Sequence, residues 1–105
     1  MIDTKITQNP TDYFMYSLTK KNLYDFTRLA AKSLGPNIRV NAVCPGLILP
    51  PPGPESNDAF ERMGQRIPLR KTGSVDDVVK AIRFLLESPF VTGECVFVDG
   101  GENLL

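Results

Sequence analysis

The stretch that decides the fold is residues 38–46, with the sequence IRVNAVCPG. Its first seven residues, 38–44, are β-branched and alternating enough to form a strand, and Pro45 with Gly46 ends that strand. Helical patterns lie on both sides of it. The stretch is therefore expected to be one strand of a sheet that helices connect to its neighbours.

A long helix is predicted before this strand, over residues 13–33. Its apolar positions recur at steps of three and four residues, and Gly35 followed by Pro36 provides a stop. The positions that carry this periodicity are Tyr16, Leu23, Phe26, Ala30 and Leu34. Residues 2–3 are predicted to end a preceding strand, and residues 4–12 to form a polar loop.

A stiff loop and two helices are predicted after the strand. Residues 47–57 contain four prolines and one glycine, which favours a loop, and a short helix is expected over residues 58–66. Ser74 is a candidate N-cap for the next helix, because Asp76 and Asp77 would then lie in its first turn. The apolar face of that helix comprises Val75, Val78, Val79, Ile82, Leu85 and Leu86.

The order of these elements predicts an α/β fold. A strand end, a helix, a strand, helices and a last strand at residues 95–98 alternate as in a parallel sheet with crossover helices. Both full strands are nearly continuous apolar runs, as expected when helices cover both faces of a sheet. We therefore predict the C-terminal part of a doubly wound, Rossmann-like parallel sheet. Residues 1–105 are interpreted as one portion of a single domain, without its N-terminal half.

Composition excludes several classes of function. The 12 basic and 12 acidic residues cancel, so neither nucleic acid nor an anionic membrane is an expected partner. No signal peptide and no apolar run of membrane-spanning length is visible, and a cytoplasmic protein is expected. Histidine is absent, which removes imidazole chemistry and nearly all zinc sites, and no metal site is predicted. Cys44 and Cys95 are expected to be buried thiols rather than a disulfide.

Tyr16 and Lys20 are the first candidate catalytic residues. Four positions apart on a helix, they project from one face. A free phenol has a pKa of about 10, and an ammonium about 4 Å away favours the phenolate by up to about 4 kcal/mol, which would bring the pKa close to neutral pH. The five residues alone also fit a partly buried tyrosine beside a solvated lysine. On spacing alone both interpretations stay open.

Three blocks of sequence together point to one family. They are YSLTK at residues 16–20, IRVNAVCPG at residues 38–46 and TGECVFVDGG at residues 92–101. In this order the chain resembles the short-chain dehydrogenase/reductase family, with its Y-x-x-x-K, I-R-V-N-x-V-x-P-G and T-G-x-x-x-x-V-D-G-G blocks. The resemblance covers essentially the whole chain. It implies an oxidoreductase that transfers a hydride between NADP or NAD and a C=O or C=N bond of a small molecule.

The resemblance also implies roles for single residues around the nicotinamide. Tyr16 would exchange a proton with the substrate oxygen or nitrogen. Lys20 would lower the pKa of that tyrosine and hydrogen-bond the nicotinamide ribose. Pro45 and Gly46 would line the nicotinamide, and the backbone of Ile48 would hold its carboxamide.

On the substrate side, the proline-rich loop matches the mobile substrate loop of the family, so Leu47, Leu49 and Pro50 are expected to contact substrate. Asp3 stands thirteen residues before Tyr16, where many members have a serine. An aspartate there, and the ending VDGGENL, resemble the pteridine-reductase branch, whose proton relay uses Asp, Tyr and Lys. Asp3 is therefore a third catalytic candidate, the alternative being an ordinary solvated aspartate.

Two family features are missing from the sequence. No glycine-rich G-x-x-x-G-x-G turn occurs, and the threonine often found shortly after the Pro-Gly pair is replaced by the run LILP at residues 47–50. The chain alone is therefore predicted not to bind the cofactor, and NADP cannot be distinguished from NAD. The alternative function is a non-catalytic fragment that self-associates. The resemblance implies a homo-oligomer, a dimer or a tetramer.

Overall fold

The computed structural model describes residues 13–105, so the strand end and loop predicted within residues 1–12 lie outside the described residues. The predicted long helix is confirmed as α1, Phe14–Leu34. It ends at Gly35, whose amide donates to the carbonyl of Ala31 at 3.3 Å. Within residues 13–105, no helix is long and apolar enough to cross a membrane.

The face of α1 that packs on the sheet differs from the one that apolar periodicity indicated. Its buried residues are Thr27 and Ala31, whereas Tyr16, Phe26 and other large apolar side chains of the helix stay exposed. Small side chains let the helix approach the backbone closely, and the Ala31 Cβ lies 3.5 Å from where a Cβ of Gly93 would stand. The Thr27 hydroxyl is satisfied within the helix, donating to the Leu23 carbonyl at 2.9 Å.

The two predicted strands pair in parallel, as expected. They are β1, Ala42–Pro45, and β2, Cys95–Val98, and their register places Ala42 opposite Cys95 and Cys44 opposite Phe97. The predicted strand at residues 38–44 is therefore too long at its start. Residues 38–41 precede the ladder because Gly93, with φ of +78°, turns the chain just before β2.

The remaining helices are α2, Ser56–Gly64, and α3, Val75–Glu87. The short helix predicted at residues 58–66 thus begins and ends two residues earlier. On α3, Val78 and Leu85 are buried, whereas Val75, Val79, Ile82 and Leu86 of the predicted apolar face are exposed among the described residues. Val78 and Leu85, with the partly buried Ala81, pack against the sheet.

Neighbouring residues of β1 point to opposite faces of the sheet and belong to two separate clusters. Cys44 is fully buried, with Tyr24 of α1 and Cys95 packed against it. Val43 is buried with Val78 and Leu85 of α3. Helices therefore cover both faces, which is the layering of the predicted α/β fold.

Cys44 and Cys95 are not joined by a disulfide in this structure. Cys44 is completely enclosed, and Cys95 is half-buried. Burial raises the pKa of the Cys95 thiol above its usual 9.0, an effect that the positive charge of Arg28 partly opposes. The Cys95 thiol therefore acts as a small apolar side chain at neutral pH.

Ser74 is the N-cap of α3, as predicted, and it forms a capping box with Asp77. The Asp77 amide donates to the Ser74 hydroxyl oxygen at 3.3 Å, and the Asp77 carboxylate accepts from the Ser74 amide and hydroxyl, both at 2.8 Å. These two donors, the hydroxyl first, lower the pKa of Asp77 below the usual 3.8, although desolvation opposes them. The ionised carboxylate is thus the form that the fold favours.

This cap makes stability depend on pH in a defined direction. Because the folded pKa of Asp77 is the lower one, the cap stabilises the fold above about pH 4 and loses its effect as the pH falls through the folded value. Ser74→Ala is expected to lower the free energy of unfolding by about 1 kcal/mol near neutral pH. Urea unfolding over a pH series measures the difference between the two proteins. A difference that does not shrink below pH 3.8 would contradict this account.

The chain ends in a tight turn that packs on the segment after α2. Asp99 accepts hydrogen bonds from the amides of Gly101 and Asn103 at 3.0 and 2.8 Å, and a 3₁₀ turn follows at Glu102–Leu104. A Cβ on Gly101 would lie 2.7 Å from the Pro68 ring, and this glycine has a φ of +91°. The D-G-G block is therefore required by packing and backbone conformation.

Arg70 has a left-handed backbone conformation that glycine would adopt more easily. Its φ is +51°, and its amide closes a turn by donating to the Ile67 carbonyl at 2.9 Å. Arg70→Gly is expected to raise the free energy of unfolding by roughly 0.5 kcal/mol, because relief of about 1–2 kcal/mol of strain exceeds the entropic cost of glycine. Thermal unfolding measures the gain. Arg70→Ala, which retains a Cβ, should show none, and an equal gain in both variants would exclude backbone strain as the cause.

Candidate active site

Tyr16 and Lys20 lie together on the first half of α1. The Lys20 Nζ is 5.5 Å from the centre of the Tyr16 ring. About half of the Tyr16 side chain is exposed, while Lys20 is half-buried. The phenol is thus open to a reactant on one side and faces a positive charge on the other.

Contacts further along α1 show which end of the sheet the pair lies at. Ala31 lies close to Gly93, just before β2 begins, and Tyr24 packs on Cys44 near the end of β1. The helix therefore runs antiparallel to the strands. Tyr16 lies eight residues before Tyr24, or about 12 Å along the axis, which places it beyond the carboxyl ends of the strands. That edge is where open α/β sheets bind their ligands.

The Pro-Gly pair that follows β1 lies at the same edge. Pro45 is the last residue of β1, and the Gly46 amide donates to the Val98 carbonyl at 3.1 Å. A Cβ on Gly46 would stand 2.7 Å from the Asp99 Cβ and 2.8 Å from the Glu102 Oε2. Gly46 therefore has no room for a side chain, a requirement that the family pattern by itself did not explain.

The other predicted site residues differ in their surroundings. Ile48 packs its side chain with the Val43 cluster and lies against Gly73, so its side chain points away from solvent. Leu49 and Pro50 are exposed on the loop before α2. Leu47 lines a cavity of about 350 Å³ beside β2, together with Gly73 and Asp99. Asp3 lies outside the described residues.

The structure thus brings together two groups, Tyr16 with Lys20 and Gly46 with the C-terminal turn, at one edge of the sheet. A larger groove of about 460 Å³ runs along the open side of β1, between α1 and α3. Neither this groove nor the cavity beside β2 is lined by Tyr16 or Lys20. The candidate active site is therefore the open surface around the Tyr16 hydroxyl.

Several residues of the family blocks have structural roles that sequence reasoning did not assign. The Arg39 guanidinium donates to the carbonyls of Leu85, Leu86 and Val91, at 2.9, 3.3 and 3.0 Å. The Asn41 side chain donates to the Val91 carbonyl and accepts from the Glu94 amide, both at 3.0 Å. The I-R-V-N block therefore holds the end of α3 and the start of β2, about 50 residues away. The one available signal of these roles in the sequence was that Arg39 and Asn41 belong to the same family motif.

The comparisons with known proteins identify the family of the chain. Residues 4–103 match the family model described as enoyl-(acyl carrier protein) reductase. Carbonyl reductase family member 4 of Danio rerio is 45% identical over 92 residues, covering 87% of this chain and 38% of the relative. The 3-oxoacyl-[acyl-carrier-protein] reductase of Bos taurus is 43% identical over 91 residues, covering 86% and 38%.

Solved structures show the same fold. FolM alternative dihydrofolate reductase 1 from Brucella suis, in complex with NADP, has a TM-score of 0.91 at 34% identity, covering 99% of this chain and 42% of that one. A small-chain dehydrogenase in complex with NADPH has a TM-score of 0.86 at 26% identity, covering 99% and 50%. The chain spans half the length of these relatives or less. The predicted fold class is confirmed, and the chain belongs to the short-chain dehydrogenase/reductase family.

Proposed function

We propose that this chain carries the proton-transfer side of an NAD(P)H-dependent reductase, with Tyr16 as the proton donor. The observation that carries the proposal is the position of the Lys20 ammonium, 5.5 Å from the Tyr16 ring, on a helix end that lies at the carboxyl edge of the sheet. A nearby cation favours the phenolate that remains after the proton has left. The half-exposed ring leaves room for a reactant.

The residues present fit the nicotinamide end of such a cofactor. Gly46 follows β1 at this edge and is only partly buried, and the side chain of Ile48 is directed into the interior. We propose that Pro45, Gly46 and the Ile48 backbone contact the nicotinamide and that Lys20 contacts its ribose. A bound reduced nicotinamide would supply the hydride.

In the proposed step the carbon of a C=O or C=N bond receives the hydride, and its oxygen or nitrogen takes the phenolic proton of Tyr16. The double bond becomes a single bond, the substrate gains one hydride and one proton, which together are two electrons and two protons, and the phenolate recovers its proton from water. Lys20 stabilises the negative charge while it exists. Leu47, Leu49 and Pro50 are proposed to contact the substrate, which their position on the adjoining loop supports.

For the substrate class we propose a pterin-like ring. Support comes from Asp3, from the C-terminal ending and from the TM-score of 0.91 with the Brucella suis protein, whose description names it an alternative dihydrofolate reductase. A carboxylate at position 3 would suit a ring rich in N–H donors. The higher identity to the carbonyl and 3-oxoacyl reductases, 45% and 43%, favours a ketone, either simple or within a 3-oxoacyl thioester, as the second candidate.

The test uses a fusion protein in which residues 1–105 replace the part of the Brucella suis FolM chain that they match. NADPH consumption is measured with a dihydropteridine, a 3-oxoacyl thioester and a simple ketone. Turnover of the dihydropteridine is expected, with Asp3→Asn lowering it about tenfold or more. Turnover of only the ketone or the thioester would overturn the pterin assignment. If Asp3→Asn changes the turnover of none of the substrates, Asp3 is not part of the proton relay.

The chain alone is proposed not to bind NADPH or NADH. No G-x-x-x-G-x-G turn for the pyrophosphate occurs in its sequence. Calorimetric titration with each nucleotide should therefore give no heat of binding, and micromolar affinity would overturn this part of the proposal. The cytoplasmic location stays a prediction.

Self-association is the alternative function, and an exposed apolar surface favours it. On α1, Met15, Phe26 and Leu29 are each more than 60% exposed among the described residues. Such a surface is typical of an interaction site. Sedimentation equilibrium is expected to show a dimer or a tetramer, and Phe26→Glu should shift it toward monomer. A monomer at all concentrations would exclude this alternative.

A further inference from the structure

Glu102 is a charged residue that the proposed reaction does not use, yet it is buried. Only 8% of its surface is exposed, and its Oε2 atom is shielded from solvent. Burial of a carboxylate costs several kcal/mol unless its surroundings compensate. The buried carboxylate of Glu102 is therefore expected to have a specific role in the structure.

The turn that carries Glu102 is built by Asp99. The Asp99 carboxylate accepts from the amides of Gly101 and Asn103 at 3.0 and 2.8 Å and from the Asn103 side-chain amide at 2.7 Å. The Glu102 amide donates to the Asp99 carbonyl at 3.1 Å. Asp99 thus fixes the backbone on both sides of Glu102. It thereby fixes the Cα position from which the Glu102 side chain extends.

From this origin the Glu102 carboxylate reaches the loop after β1. Its Oε2 lies 2.8 Å from the point where a Cβ of Gly46 would stand. The Gly46 amide donates to the Val98 carbonyl at 3.1 Å. Gly46 is therefore packed against both the end of β2 and the buried carboxylate.

We infer that Glu102 is a positioning residue for the Pro45–Gly46 turn, acting from the C-terminal 3₁₀ turn through its contact with Gly46. The consequence for cofactor binding rests on the proposed function, because it requires that this turn contacts the nicotinamide. The contact itself does not rest on it. Glutamine has nearly the same shape as glutamate and keeps an oxygen, so Glu102→Gln should largely retain the position of Gly46, whereas Glu102→Ala should not.

The first test measures the position of Gly46 in the 105-residue chain by NMR. Labelling proline at its carbonyl carbon and glycine at its nitrogen selects only Pro-Gly pairs, and the sequence has two, at Gly46 and Gly53. Among residues 13–105, no heavy atom outside Gly53 and its two chain neighbours lies within 4 Å of the point where a Cβ of Gly53 would stand, which makes Gly53 an internal control. Glu102→Ala should shift the Gly46 signal and leave Gly53 in place. Glu87→Ala, which removes an exposed glutamate, should move neither.

The second test measures binding and turnover in the fusion protein. Glu102→Ala is expected to raise the Kd and KM for NADPH about tenfold with little change in kcat, and Glu102→Gln to restore most of the affinity. If the unsubstituted fusion protein does not bind NADPH, the proposed function fails, and the NMR test still decides whether Glu102 positions Gly46. If the Gly46 signal moves no more in Glu102→Ala than in Glu87→Ala, the inference is overturned. An unchanged Kd in a fusion protein that binds NADPH overturns its extension to the cofactor.

Discussion

Tyr16→Phe is expected to lower the kcat of the fusion protein by about three orders of magnitude, the range over which a positioned proton donor contributes to a rate. Phenylalanine keeps the ring beside Lys20 and removes only the hydroxyl. The Kd for NADPH should therefore change little. Steady-state consumption of NADPH measures the kcat, and fluorescence titration of the nucleotide measures the Kd.

Tyr24→Phe provides the matched control on the same helix. Its hydroxyl accepts a long hydrogen bond of 3.4 Å from Arg28, and its ring packs on Cys44, a contact that phenylalanine preserves. This variant is expected to keep kcat within about twofold, because a surface hydrogen bond contributes little to the fold. Equal losses in the two variants would mean that Tyr16 acts through the helix rather than through its proton.

Arg39→Ala is expected to lower the free energy of unfolding of the 105-residue chain by about 3 kcal/mol. Its guanidinium satisfies three carbonyls, those of Leu85, Leu86 and Val91, and hydrogen bonds from a charged donor contribute about 1.5–3 kcal/mol each. The expected loss of stability is smaller than the sum of three such hydrogen bonds, because half-exposed carbonyls can hydrogen-bond with water instead. Urea unfolding followed by circular dichroism measures the loss.

Two further variants show whether the planar fork of Arg39 matters. Arg39→Lys keeps the charge but is unable to reach three carbonyls, so it should lose about half as much stability. Arg83→Ala removes an exposed arginine of α3 and should change the free energy of unfolding by less than about 0.5 kcal/mol. If Arg83→Ala lowers the free energy of unfolding as much as Arg39→Ala does, the loss comes from removing a positive charge and not from removing the hydrogen bonds to the three carbonyls.

The sequence predicted the fold well where local signals and tertiary structure agree. Ser74 with Asp77 specified the start of α3 to the residue, because a capping box is a local interaction. The strand at residues 95–98 was also predicted with its observed bounds. The strand at residues 38–44 was too long, because its ladder begins only where Gly93 has turned the partner chain into register.

Apolar periodicity was less reliable in deciding which helix face packs on the sheet. The buried stripe of α1 is made by Thr27 and Ala31, which have low weight in any hydrophobic pattern. The predicted pattern, which includes Tyr16 and Phe26, marks an exposed face. A pattern of apolar residues indicates that a helix face is suited to burial, but it does not indicate which surface would cover that face.

The candidate site was predictable only in its local part. The spacing of Tyr16 and Lys20 is fixed by one helical turn, so the sequence sufficed to place them together. The contacts of Glu102 with Gly46 and of Arg39 with α3 join residues about 50 positions apart. No local pattern encodes such contacts, and they became visible only in the folded chain.

Transfer of deuterium tests the proposed reaction most directly. The fusion protein is incubated with NADPH carrying deuterium at the transferred position of nicotinamide C4 and with the dihydropteridine, and the product is examined by mass spectrometry. Deuterium on the reduced carbon, lost when Tyr16 is replaced by phenylalanine and retained when Tyr24 is, is the predicted result. A folded fusion protein that binds NADPH but transfers no deuterium to the pteridine, the thioester or the ketone would contradict the assignment of this chain to a reductase.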